Sequence, residues 1–99
     1  MPRVILQISY DIKPTQVDEY LSLAKEMKAH FSTERNKNYS VYEQKGKKNS
    51  FVEQFVCNSL EEFETLEDDL DQTSEELVNR LETMIDGGKA KYTTLVELE

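Results

Sequence analysis

Hydrophobic and polar positions repeat at two different periods along the chain, and the switches between them mark the elements. From Val4 to Ile12 the even positions are Val4, Leu6, Ile8, Tyr10 and Ile12, while the odd ones are Ile5, Gln7, Ser9 and Asp11. Period two with one wholly apolar face predicts a strand packed on a core. Lys13-Pro14-Thr15 ends it, since Pro14 cannot extend a ladder and suits the first turn of a helix. Val17, Tyr20, Leu21, Ala24, Met27 and Phe31 then recur three and four apart, the stripe of a helix of about 18 residues. A polar connector, residues 32–38, carries no apolar residue.

The hairpin 38–58 follows, with strand-like runs YSVYEQ and SFVEQFV joined by KGKKN. On its second strand Phe51, Phe55 and Cys57 flank Glu53 on one face, and Val52 and Val56 flank Gln54 on the other. Both faces are half apolar, so the pattern leaves the register open; a sheet covered by helices on one side and by a second sheet on the other accounts for it. Ser59-Leu60-Glu61-Glu62 has the form of a capping box. Leu60, Phe63, Leu66 and Leu70 carry a stripe onward, continued by Leu77, Leu81, Met84 and Ile85. Between these groups residues 71–76 lack an apolar anchor and offer a second cap, which predicts a break and two helices. Gly87-Gly88 stops the run, and residues 91–99 read as a last strand with Tyr92, Thr94, Val96 and Leu98 on one face.

The order strand, helix, strand, strand, helix, strand, with an added helix before the last strand, predicts an α+β, ferredoxin-like βαββαβ fold. It is a four-stranded antiparallel sheet with helices on one face. A chain of 99 residues makes a single domain, 1–99. If the open sheet face carries Ile5, Phe51 or Phe55, it calls for a cover, because burying one large apolar side chain is worth roughly 1.5 to 3 kcal/mol. A homodimer formed through that face is the expectation.

Composition narrows the setting. Residues 1–50 carry nine Lys/Arg against six Asp/Glu and residues 51–99 three against fourteen, for a net charge of −8. Such a surface repels phosphate backbones, so nucleic acid is not an expected partner; Lys45, Lys47 and Lys48 read as a solubilising hairpin tip. No apolar run approaches the roughly 18 residues of a membrane span, and the chain opens directly into a strand pattern. With one cysteine, Cys57, and no leader pattern, a reducing, cytoplasmic location is expected.

The stretches VILQISYDIKPTQVDEYLSLAKEM and FVEQFVCNSLEEFETLEDDL resemble, in their succession of elements, proteins of the dimeric α+β barrel superfamily of the antibiotic-biosynthesis-monooxygenase type. The resemblance implies two sheets paired into a barrel, a small ligand inside, and cofactor-independent oxygenation of quinols or polyketides, or haem degradation. Where relatives of that type often carry a third-strand Trp and a second-helix His, this chain has Cys57 and Leu66. The iron ligand of the haem-degrading branch is therefore missing. By the same correspondence, the face with Phe51, Glu53, Phe55 and Cys57 is expected to meet the partner subunit.

Several residues are candidates for chemistry. Gln7, Ser9 and Glu53 are polar positions set among apolar ones on strands that neighbour each other in this fold. On one barrel-facing side with Phe51, Phe55 and Cys57 they would contact a phenolic or carbonyl ligand, with Glu53 as a base whose pKa is raised by a dry pocket; otherwise they bond to one another or to water. His30, the single histidine, reads as a surface or capping residue and excludes a His-rich metal site within one chain. Cys57 reads as a buried thiol, and Tyr39, Tyr42 and Tyr92 as amphipathic residues at a sheet edge. The acidic run Glu61, Glu62, Glu64, Glu67, Asp68, Asp69 and Asp71 spreads around a solvated helix face and lacks calcium-loop spacing. No metal and no cofactor is expected. Two functions follow: a dimer binding a small aromatic or hydrophobic molecule between its sheets, with the oxygenase chemistry the resemblance implies, or a non-catalytic dimeric structural or interaction module.

Overall fold

The computed structural model describes residues 2–68 and 71–98. Its elements are β1 (Val4–Asp11), α1 (Val17–Lys28), β2 (Asn38–Glu43), β3 (Ser50–Cys57), α2 (Leu60–Asp68), α3 (Gln72–Met84) and β4 (Lys91–Val96). The strands form one antiparallel sheet in the order β2-β3-β1-β4, with the helices on one side. This is the ferredoxin-like arrangement expected from the order of elements. Leu70, expected on the stripe of the second helix, and Asp69 of the acidic run lie outside the described residues, as do the side chains of Glu67 and Asp68.

The register settles what the half-apolar hairpin left open. Tyr10 lies opposite Phe51, Ile8 opposite Glu53, Leu6 opposite Phe55 and Val4 opposite Cys57. Because side chains alternate with period two, all four β3 residues share the face of the apolar even positions of β1, which is the face under the helices. The expectation that Phe51, Glu53, Phe55 and Cys57 meet a partner subunit is therefore corrected: they point into the chain's own core or the space below its helices. The uncovered face carries instead Ile5, Val52, Val56 and Leu95, interspersed with Gln7, Ser9, Gln54 and Thr93.

Helix α1 buries Tyr20, Leu23 and Met27 completely, whereas Leu21 is 45% exposed. Leu23, three residues after Tyr20 and four before Met27, holds the place on the buried stripe that Leu21, turned about 100° from Tyr20, does not. Past Lys28 the helix widens into a π-type turn, Ala29–Glu34, with the Arg35 N–H bonded to the His30 carbonyl at 2.9 Å. His30 and Phe31, three and four residues after Met27, continue the buried stripe and are both buried. The surface role expected for His30 is corrected accordingly.

Ser59 caps α2 by accepting from the Glu62 N–H at 3.2 Å, and the Glu62 carboxylate reaches back past the cap to accept from the Asn58 N–H, a variant of the capping box. Asp71 caps α3 through the Ser74 N–H at 2.8 Å. Residues 72–76, expected within the break, are the first turns of α3. Gly87 and Gly88, at φ 79° and 72°, reverse the chain into β4. The last strand ends at Val96 rather than running to the C-terminal residues, and Leu98 beyond it is 95% exposed. Among the described residues no helix is long and apolar enough to cross a membrane.

Candidate functional site

Between the sheet and the helices lies a cavity of about 480 Å³, within the range of small-ligand sites. Its floor is Leu6 and Ile8 of β1 with Glu53 and Phe55 of β3, its wall is Phe31, and its roof is Leu66, Val78, Leu81 and Ile85. Arg35, Lys37, Glu82, Gly88, Lys89, Ala90 and Tyr92 complete the lining. From Glu53 across Ile8 to Tyr92 the floor spans three adjacent strands, or about 10 Å at 4.8 Å per strand. That is the length of a fused aromatic ring system.

Glu53 is the one ionisable group seated in the apolar floor and is 4% exposed. The Tyr39 hydroxyl donates to its Oε1 at 2.6 Å, and Tyr10 lies on the same face, one pair along the ladder between β1 and β3. Tyr10 is in turn 2.8 Å from the Tyr20 hydroxyl. Burial raises the Glu53 pKa above the ordinary carboxylate range, and the hydrogen bond from Tyr39 opposes that rise. The phenols of Tyr10 and Tyr39 are pushed far up, first by burial and then by the adjacent carboxyl. A buried carboxyl with raised proton affinity that lines a cavity is equipped to take a proton from a weakly acidic O–H or C–H group.

The expected site residues separate into distinct places. Glu53 and Phe55 line the cavity together. Gln7 and Ser9 sit on the opposite face of the sheet, where the Gln7 side-chain amide donates to Gln54 Oε1 at 3.1 Å and Ser9 bonds to the Lys91 carbonyl. The shared side expected for Gln7, Ser9 and Glu53 is thus corrected by the register, and the three bond to Gln54, the Lys91 carbonyl and Tyr39 rather than to one another. Phe51 packs on Tyr20 at 4.4 Å and lines a separate groove of about 380 Å³ between α1 and β2. Cys57 is 2% exposed, and burial followed by the Glu62 charge raises its thiol pKa. Tyr39 is buried against Glu53, Tyr42 is half exposed on the open face, and Tyr92 borders the cavity.

Tyr10, Tyr20 and Arg35 escaped the sequence reading. The two tyrosines sit on apolar stripes, and the available signal was their hydroxyls, which need partners when buried. Arg35 follows the π-type turn and pairs with Asp71 at 3.3 Å. His30 bonds through Nδ1 to Glu34 at 2.8 Å and through Nε2 to Ser74 at 2.9 Å and Asp71 at 3.2 Å. Asp71 is held well below the usual carboxylate range, first by Ser74 and then by His30. This cluster ties the end of the first helical segment to the start of α3, and so fixes the cavity roof. Among the described residues no three His, Cys, Asp or Glu side chains converge as a metal site.

The ferredoxin-like sheet with helices on one face is shared with solved structures of antibiotic-biosynthesis-monooxygenase-like proteins, the fold that the resemblance in the sequence implied. A candidate antibiotic biosynthesis monooxygenase from Deinococcus radiodurans matches 97% of this chain over 93% of its own, at TM-score 0.77 and 15% identity. A NIPSNAP family protein from Agrobacterium tumefaciens matches 94% over 90% of its own, at TM-score 0.75 and 18% identity. A variant of SnoaB, a cofactor-independent oxygenase from Streptomyces nogalater, matches 94% over 90% of its own, at TM-score 0.73 and 13% identity. At these identities the shared property is the fold. The sequence matches no protein-family model and no curated protein.

Proposed function

We propose that the protein binds a small, flat, hydrophobic aromatic molecule in the cavity between sheet and helices and oxygenates it without a cofactor, with Glu53 as the general base. The observation that carries this reading is one buried carboxyl, held by the Tyr39 phenol, in the floor of a cavity whose floor and roof are otherwise apolar. Glu53 removes the acidic proton of a quinol or an anthrone-like CH₂ group. The electron-rich anion then reacts with dioxygen; one oxygen atom becomes a carbonyl on the substrate and the other leaves as water, so the substrate supplies the electrons. The fold shared with a cofactor-independent oxygenase supports the same reading. The chain acts as a cytoplasmic homodimer, joined through the uncovered face that carries Ile5, Val52, Val56 and Leu95.

The test is oxygen uptake by the purified protein with a panel of quinols and anthrones, with no metal or flavin added. Uptake that is lost in Glu53→Gln and kept in Gln7→Ala supports the assignment, because Gln7 lies on the other face. Inertness across the panel overturns the oxygenase and leaves the non-catalytic dimeric module.

A further inference from the structure

The chain carries a net charge of −8, yet among the described residues the cavity lining holds the cations Arg35, Lys37 and Lys89 against Glu82 and the buried Glu53. Their positions divide them. At the end where α3 stops, Lys89 is matched by Glu82, one charge of each sign. At the end where α3 begins, Arg35 is held by its capping residue Asp71 at 3.3 Å. Lys37 stands beside Arg35, fixed by its N–H on the Phe31 carbonyl at 2.8 Å, with Asn36 at φ 53° turning the chain between the two. Lys37 is half-buried, and among the described residues its ammonium has no carboxylate partner. The Glu62 carboxylate near Cys57 is already engaged by the Asn58 N–H.

We propose that the cavity takes aromatic acids: a flat aromatic molecule whose carboxylate pairs with Lys37 and whose opposite end, bearing the acidic O–H or C–H group, meets Glu53. The inference rests on the reading of this cavity as a ligand site and adds the charge class of the ligand and its orientation. Val41 lies across from Glu53 in the ladder, so Lys37 and Glu53 stand four residues apart along the sheet, about 13 Å at 3.3 Å per residue. The flexible lysine stem closes part of that gap, and a fused ring system with a carboxylate fills the rest. Repulsion by Glu53 keeps the ligand carboxylate away from the floor, and attraction by Lys37 draws it to the other end. The reversed pose meets a like charge at one end and leaves Lys37 unpaired at the other, so a single orientation is selected. Lys37 is therefore a specificity-determining residue, and it presents the ligand's proton to the base.

The test needs no turnover. Binding of 6-hydroxy-2-naphthoate, with its hydroxyl and carboxylate at opposite ends of a naphthalene, is compared with binding of its neutral methyl ester by titration calorimetry at pH 7, where the carboxylate is ionised. The acid is expected to bind about tenfold tighter than the ester, the worth of one charge-assisted contact in a half-buried setting. Lys37→Gln abolishes that preference by weakening the acid alone, Lys37→Arg keeps it, and Lys89→Gln, at the end that Glu82 balances, leaves the ratio unchanged. Added salt narrows the ratio by weakening the acid. An acid that binds no tighter than the ester, or a preference that survives Lys37→Gln, overturns the proposal while ester binding keeps the cavity as a ligand site. A preference lost in Lys89→Gln instead puts the anion at the other end and overturns the placement. Binding of neither compound overturns both readings together. A preference lost in Lys37→Gln, in a protein that consumes no oxygen with any quinol, refutes the oxygenase alone and leaves the aromatic-acid site standing.

Discussion

Replacing Glu53 by Gln removes one titrating proton from the core and keeps an amide oxygen where Tyr39 now donates at 2.6 Å. The native carboxyl binds its proton more tightly than the unfolded one, because burial outweighs the phenol hydrogen bond. The native state therefore retains a proton that the unfolded chain releases above about pH 4.3. Over that window the native state binds more protons, so the stability contributed by Glu53 is fully present below the unfolded pKa and is lost as pH rises through the native one. The limiting slope is about 1.4 kcal/mol per pH unit for one proton. Gln has no proton to release, so the stability of Glu53→Gln relative to wild type rises with pH along that slope. Asp71, Glu26 and Glu97, whose pKa values are lowered, weaken both proteins in acid and cancel in the difference. Urea unfolding of both proteins between pH 4 and pH 8 measures this difference. Parallel curves across the range would refute the claim that Glu53 is a buried carboxyl with raised proton affinity.

Three further outcomes follow from the same geometry. Tyr39→Phe loses a hydrogen bond whose acceptor becomes charged as pH rises through the native Glu53 pKa, so urea unfolding is expected to register roughly 1 kcal/mol of destabilisation at pH 4, growing toward about 1.5 to 3 kcal/mol above that pKa. Leu81→Ala, in the cavity roof and the core, is expected to cost about 2 to 5 kcal/mol, against about 0.5 or less for Leu21→Ala on the exposed side of α1. Val56→Lys places a charge beside Ile5 on the uncovered sheet face and is expected to shift light scattering at micromolar concentration from dimer to monomer, with secondary structure by circular dichroism unchanged.

The clean stripes of the sequence carried most of the fold. The even positions of β1 and the cap at Ser59 were legible because a single period or a single side-chain bond determines each. The register of β3 was not, since Phe51, Phe55 and Cys57 compete with Val52 and Val56 for the buried side, and only pairing with Tyr10 and Val4 decides between them. Glu53 stood out as a carboxylate set among apolar neighbours. Its phenol partner did not, because periodicity counts tyrosine as apolar and is blind to hydroxyl direction. His30 was misplaced because it was weighed as a polar residue near a helix end, although its spacing of three from Met27 sets it on the buried stripe.

The most direct test of a ligand site beneath the helices is methyl NMR of the protein titrated with a dihydroxynaphthalene. Saturable shifts confined to Leu6, Ile8, Val78, Leu81 and Ile85, which line the cavity with Glu53, are the expected result. Shifts confined to Ile5, Val52, Val56 and Leu95 on the opposite face, or no shifts at millimolar ligand, would contradict it.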